Sequence, residues 1–169
     1  EVDMPPTLKA KKRALQLAEV PHNHVTFVET DFNQETWMES LLNSGFNPNL
    51  TTYVLWEGVT MYLVEEAVRD TLNLIASLPV GSVVGADFFS QDLIQGNPPL
   101  EEMSKSMHTG IKYYSEDLQF GIPTGETLSE GLEEYLSESE LKLARFEHVG
   151  STEKDKKPPW YFFAHIEKH

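Results

Sequence analysis

The chain has 169 residues, a length typical of one domain, and 40% of them are apolar, which is enough for a hydrophobic core. Its formal net charge of −14 repels phosphate groups, which argues against nucleic acids and anionic membranes as partners, and no apolar run approaches the ~20 residues that span a bilayer. The chain contains no cysteine, which excludes disulfides, zinc–cysteine sites and cysteine nucleophiles. The same absence favours a reducing compartment, so we expect a cytoplasmic protein.

Segments typical of strands alternate with segments typical of helices over the first 89 residues. Strands are indicated by β-branched and apolar residues, and helices by good helix formers with apolar residues at helical spacing. The predicted strands are 1–3, 24–29, 51–56 and 82–89, and the predicted helices are 7–19, 34–44 and 64–77. The segment 51–56 is almost continuously apolar or β-branched, which is typical of a strand buried on both faces of a parallel sheet.

The pattern changes after residue 90. Residues 91–111 predict a loop with one irregular helix, and residues 127–137 predict a further helix. Two segments, 141–148 and 160–166, predict strands that run antiparallel because a short charged loop joins them. The sequence therefore predicts an α/β fold: a doubly wound, mostly parallel sheet with a C-terminal antiparallel strand pair.

An acidic residue stands at or near the end of each of the first four predicted strands: Asp3, Asp31, Glu57 and Asp87. Ligands of open α/β sheets bind outside the carboxyl ends of the parallel strands, so these side chains are candidates for one site. A carboxylate there can accept hydrogen bonds from two ribose hydroxyls or from an adenine amino group, and the ring of Phe32 can pack on adenine. Each acid alone also fits a turn or a helix N-cap, and Asp87 fits a ligand role least because apolar residues follow it within the strand.

Several motifs, in order along most of the chain, resemble the leucine carboxyl methyltransferase-like O-methyltransferases, which have the Rossmann-like class I fold. The matching segments are Glu1–Pro5 (EVDMP), Glu29–Phe32 (ETDF), Gly45–Pro48 (GFNP), Trp56–Leu63 (WEGVTMYL), Pro79–Phe88 and Leu118–Gly125. The resemblance implies an enzyme that uses S-adenosylmethionine. It would transfer the sulfonium methyl group to a carboxylate or hydroxyl oxygen of a small molecule or of a protein terminus.

The same resemblance implies roles for individual residues. Asp3 would bind the ribose of the cofactor, Asp31 and Phe32 would flank the adenine, and Glu57 would lie near the methionine part. Tyr62 would face the methyl acceptor, although a buried structural tyrosine is an equal alternative. In the family, the first strand and a glycine-rich loop precede the segment that matches residues 1–5. We therefore expect residues 1–169 to be the C-terminal portion of a single methyltransferase domain, partnered by a missing N-terminal segment or by a second chain.

Two other functions stay open at the level of sequence. A catalytically inactive methyltransferase-like module would act through partner binding at an exposed sheet edge. A nicotinamide dinucleotide enzyme would also place Asp3 on a ribose, but it has no standard need for Asp31. The six histidines show no metal-ligand spacing, and neither a phosphate-binding P-loop nor a GxSxG motif occurs, so no metal site and no hydrolase is predicted.

Overall fold

The computed structural model describes residues 1–32, 37–113, 116–150 and 158–169. The chain divides into two compact units, Glu1–Pro48 and Asn49–His169. The first three residues of the predicted helix 34–44 lie outside the described residues. So does most of the predicted loop between the last two strands, residues 151–157.

The first unit is built around two short parallel strands. Its elements are β1 (Val2–Asp3), α1 (Pro5–Leu17), β2 (Val28–Glu29) and α2 (Trp37–Asn43). Val2 pairs with Val28 and Asp3 with Glu29. The strand predicted over 24–29 is therefore reduced to its last two residues, because β1 offers only two residues to pair with.

A four-stranded sheet forms the frame of the second unit. Its elements, in chain order, are β3 (Tyr53–Trp56), a 3₁₀ helix (Thr60–Tyr62), α3 (Glu65–Ala76), β4 (Val83–Phe89), α4 (Gln91–Gln95), α5 (Glu101–Lys112), α6 (Leu128–Leu136), β5 (Leu141–Val149) and β6 (Tyr161–Lys168). The strand order is β3-β4-β6-β5, with β3 and β4 parallel and the other pairs antiparallel. The predicted C-terminal antiparallel strand pair is thus present as β5 and β6.

The two faces of this sheet differ sharply in burial. Side chains of one face form the core and are almost fully buried: Trp56, Val84, Phe88, Phe162 and Ile166. On the other face, Tyr53 is 64% exposed, Leu55 66% and Phe163 44%. The prediction that segment 51–56 is buried on both faces was wrong. Alternate residues of a strand point to opposite faces, and only one face of this sheet is covered within the described residues.

The prediction of one irregular helix over 91–111 was also wrong. The segment forms two helices, α4 and α5, because Gly96 adopts a left-handed conformation (φ 68°) and ends the first of them. Ser90 caps α4, since its hydroxyl oxygen accepts a hydrogen bond from the Leu93 N–H at 3.2 Å. Leu93 and Leu100 pack with Met61 and Phe89 in one buried cluster, which anchors these helices beside the carboxyl end of β4.

Candidate functional site

In the first unit, the parallel pairing brings Asp3 and Asp31 to the carboxyl ends of adjacent strands. The Thr30 N–H donates to the Asp3 carbonyl at 3.1 Å, and this bond continues the ladder up to the residue before Asp31. One carboxylate oxygen of Asp3 accepts from the Met4 N–H at 2.7 Å, which fixes the side chain at the strand end. Asp31 and Phe32 follow, and both are partly buried.

Sequence reasoning missed Thr30, which directly precedes Asp31. Its side chain is 2% exposed, and its hydroxyl has no hydrogen-bond partner among the residues that the structure describes. Buried hydroxyl groups are nearly always hydrogen-bonded, so a polar ligand or a water molecule would stabilise this one. No pattern in the sequence separates Thr30 from an ordinary strand threonine.

In the second unit, Glu57 directly follows β3. Its side chain is exposed, and no hydrogen bond or ion pair to it occurs within the described ranges. Gly58 comes next with φ 70°, a left-handed conformation that favours glycine. The carboxylate of Glu57 is therefore available to a ligand at the end of the strand.

Asp87 on β4 has a different environment. It is 2% exposed, and both of its carboxylate oxygens accept from the Gly58 N–H, at 2.9 and 3.0 Å. The Tyr161 hydroxyl donates to the second oxygen at 2.6 Å. Because the carboxylate is buried and already hydrogen-bonded, it is closed to a ligand. Asp87 is also the acid that the sequence favours least for a ligand role.

Tyr62 ends the 3₁₀ helix and is partly buried. Its carbonyl accepts from the Gln119 side-chain amide at 2.7 Å. Burial, and after it the negative charges of Glu116 and Asp87, raise the pKa of the Tyr62 phenol above its ordinary value of 10.0. The phenol is therefore protonated at neutral pH, so it can donate a hydrogen bond but does not serve as a base.

A cleft of about 300 Å³ lies on the open face of the sheet, and Glu57 and Asp87 are among its lining residues. Tyr53, Leu55 and Phe163 give it an apolar lining. A Cβ atom on Gly85 would stand 2.5 Å from the Tyr53 hydroxyl oxygen, so the glycine makes room for that side chain. Arg145, Glu147 and His165 also line the cleft, so its apolar side chains lie beside charged groups of both signs.

The polar side chains at the ends of β1 and β2 fit the adenosine part of S-adenosylmethionine better than they fit a metal ion. Asp3 has one carboxylate oxygen without a described hydrogen bond, which suits a hydroxyl donor. The buried Thr30 hydroxyl has no partner among the described residues. Among the described residues, no group of three His, Asp or Glu side chains is arranged to hold a metal ion. No helix in the same ranges is long and apolar enough to cross a membrane.

The chain resembles one known family over its first 76 residues. The leucine carboxyl methyltransferase family model matches residues 1–76, a range that contains all of the predicted site residues: Asp3, Asp31, Phe32, Glu57 and Tyr62. No curated protein sequence matches the chain.

Among solved structures, a DUF574 family protein from Streptomyces avermitilis is 16% identical with a TM-score of 0.61, over 99% of this chain and 64% of that one. The N-methyltransferase NodS from Bradyrhizobium japonicum, in complex with S-adenosyl-L-homocysteine, is 15% identical with a TM-score of 0.50, over 99% and 64%. Magnesium protoporphyrin IX methyltransferase from Synechocystis, also with bound S-adenosyl-L-homocysteine, is 16% identical with a TM-score of 0.51, over 95% and 58%.

The chain therefore spans less than two-thirds of the length of these three proteins. Residues 1–76 confirm the resemblance to the leucine carboxyl methyltransferase family, and the chain has the Rossmann-like fold of the class I S-adenosylmethionine-dependent methyltransferases.

Proposed function

We propose that this chain is part of an S-adenosylmethionine-dependent O-methyltransferase, and that residues 1–169 belong to a single methyltransferase domain. The observation that carries the proposal is the placement of Asp3 and Asp31 at the carboxyl ends of the adjacent parallel strands of the first unit. Asp3 is the last residue of β1, and Asp31 comes two residues after β2. In the second unit, Glu57 directly follows β3. All three acids lie within the 76 residues that match the family.

The proposed roles follow from the chemistry of each side chain. Asp3 accepts hydrogen bonds from the ribose hydroxyls through the oxygen that Met4 does not use. Asp31 accepts from the adenine amino group, and the Phe32 ring packs against the flat base. Glu57 supplies negative potential to the cationic methionine part, and its exposure leaves it free to do so.

The acceptor is proposed to be an oxygen, and preferably a carboxylate. S-adenosylmethionine supplies a methyl group activated by a positively charged sulfur. Transfer to an acceptor depends chiefly on holding the reacting groups in line, so the chain's contribution is orientation and exclusion of water. A carboxylate is already a nucleophile at neutral pH, whereas a hydroxyl needs a general base. The raised pKa of Tyr62 makes it unsuitable as that base, and it is proposed instead to donate a hydrogen bond to the acceptor.

The test is a methyl-transfer assay with the intact protein and S-adenosylmethionine labelled in its methyl group. Acceptors would be small carboxylic acids, peptides with a free C-terminus, and matched alcohols or amidated peptides. We expect label in a product that releases methanol in mild base, since methyl esters hydrolyse there and methyl ethers do not. No transfer to any acceptor, together with no binding of S-adenosylhomocysteine, would instead favour an inactive partner-binding module.

A further inference from the structure

The buried carboxylate of Asp87 joins three segments of the second unit. We propose that Asp87 is a positioning residue, which holds the Glu57 end of the segment Glu57–Tyr62 in place and is itself held by Tyr161. The inference rests on the proposed function for its relevance to cofactor binding, because Glu57 and Tyr62 are proposed site residues. Nothing in the family match assigns a role to Asp87, which lies beyond residue 76.

Two attachments connect Asp87 to this segment. The Gly58 N–H donates to both carboxylate oxygens, at 2.9 and 3.0 Å. The Thr60 hydroxyl donates to the Asp87 backbone carbonyl at 2.6 Å, and Thr60 is fully buried. One side chain and one backbone group of the same residue therefore fix the turn that follows β3.

The contact with Tyr161 explains how Asp87 keeps this geometry. β4 and β6 are antiparallel neighbours, and Tyr161 pairs with Phe89, two residues beyond Asp87. The short 2.6 Å bond from its phenol completes a set of donors around the carboxylate. Burial and the hydrogen bond to Asp87 raise the pKa of Tyr161 well above its ordinary value, so this donor keeps its proton across the whole physiological range.

The two ends of the segment depend on different anchors. The Glu57 side chain has no partner among the described residues, so its position follows from the backbone of Gly58 and hence from Asp87. At the other end, Gln119 holds the Tyr62 carbonyl with its side chain, and its backbone N–H donates to the Met61 carbonyl at 2.8 Å. Loss of Asp87 should therefore release the Glu57 end and spare the Tyr62 end.

The decisive variant is Asp87→Asn, which keeps the shape but replaces one acceptor oxygen with a donor group. Tyr161→Phe is a milder variant that leaves the Gly58 bonds in place. Asp70→Asn is the matched control, because Asp70 is exposed on α3 and makes no described contact. The measurements on the intact protein are amide hydrogen exchange at Gly58 and Leu63, the melting temperature, and calorimetric affinity for S-adenosylhomocysteine. Leu63 reports on the Tyr62 end, because it follows Tyr62 and its N–H donates to the Thr60 carbonyl at 3.3 Å.

We expect Gly58 exchange to be about tenfold faster in Asp87→Asn, with little change at Leu63, because the acceptor for the Gly58 N–H is then a neutral amide oxygen instead of a charged carboxylate. Affinity for S-adenosylhomocysteine should fall about tenfold as well, while Asp70→Asn behaves as wild type. Should Asp87→Asn not fold, Tyr161→Phe should still give a smaller acceleration at Gly58. Unchanged Gly58 exchange in the folded variants would overturn the inference.

The exchange measurement separates this inference from the proposed function. A wild-type protein that does not bind S-adenosylhomocysteine would contradict the cofactor assignment, yet faster Gly58 exchange in the variants would still show that Asp87 holds the Gly58 backbone. Conversely, wild-type binding with faster exchange but unchanged affinity in Asp87→Asn would contradict the positioning role. A lower melting temperature accompanied by equally faster amide exchange at Gly58 and Leu63 would also contradict the positioning role.

Discussion

Glu57 and Asp87 occupy equivalent positions, one residue past the paired Trp56 and Ala86 of two parallel strands, yet their environments are opposite. Glu57 is exposed, whereas Asp87 is 2% exposed and bonded to Gly58 and Tyr161. Ligands of open α/β sheets bind at the carboxyl ends of parallel strands, and this expectation selects both acids. It does not distinguish the acid that can contact a ligand from the acid that holds the backbone.

The left-handed turn at Gly58 should be costly to replace. Gly58→Ala is expected to lower the free energy of unfolding by about 1–2 kcal/mol, because φ is 70° there and a Cβ in that conformation meets its own backbone. Crowding by neighbours does not contribute, since nothing lies within 4 Å of the added atom.

Gly110 in α5 is the matched control, because it also has open space around it but has no positive φ. Gly110→Ala should raise stability by up to about 1 kcal/mol. Urea unfolding of both variants checks the contrast, and equal stabilisation of the two would contradict the backbone assignment at Gly58.

Phe162 and Phe163 are neighbours on β6 that face opposite sides of the sheet. Phe162 is fully buried and packs on Phe88 and Phe146, with ring centroids 5.5 and 5.0 Å apart. Phe162→Ala should destabilise the protein by about 3–5 kcal/mol. Phe163→Ala, on the open face at 44% exposure, should cost about 1 kcal/mol or less. Similar midpoints for the two variants in urea unfolding would show that the open face is covered in solution.

Tyr135 on α6 has a buried hydroxyl without a described hydrogen-bond partner, so the hydroxyl should contribute little to stability. Tyr135→Phe is expected to stay within about 1 kcal/mol of wild type at pH 7. Destabilisation well beyond that would mean that the hydroxyl has a partner.

The same variant should change the dependence of stability on alkaline pH. Burial raises the pKa of Tyr135 to about 12, with Arg69 opposing the shift and Glu65 adding to it. The unfolded chain releases this proton near pH 10 and the folded chain keeps it until about pH 12, so wild-type stability falls between these values. The difference in unfolding free energy between wild type and Tyr135→Phe, followed from pH 9 to 12, should move in favour of the variant. A constant difference would contradict the raised pKa.

Much of the fold was predictable because local patterns and tertiary structure agree. The helix predicted over 64–77 is α3 (Glu65–Ala76), and the strand predicted over 82–89 is β4 (Val83–Phe89). The errors come from information that the local sequence lacks. The exposure of Leu55 depends on what covers the sheet, and the split at Gly96 depends on a backbone conformation that glycine permits but does not dictate.

The candidate site was predictable to a smaller extent. Strand-end acids are visible in sequence because Asp3, Asp31 and Glu57 lie at or just after the ends of predicted strands. The bond from Tyr161 to Asp87 joins residues 74 positions apart, and no local pattern reveals it. Thr30 is equally hidden, since it is distinguished only by its burial and by a hydroxyl that has no partner in the described part of the chain. The ligand roles of Asp3, Asp31, Phe32, Glu57 and Tyr62 stay predictions.

Calorimetric titration of the intact protein with S-adenosylhomocysteine tests the central claim most directly, with wild type, Asp3→Ala, Asp31→Ala and the exposed control Asp70→Ala. We expect wild type and the control to bind equally, and each of the other two variants to lose about tenfold or more in affinity, as when a charged hydrogen-bond acceptor is removed. Equal affinity in all four proteins, or no binding by wild type, would contradict a cofactor site at the ends of these strands.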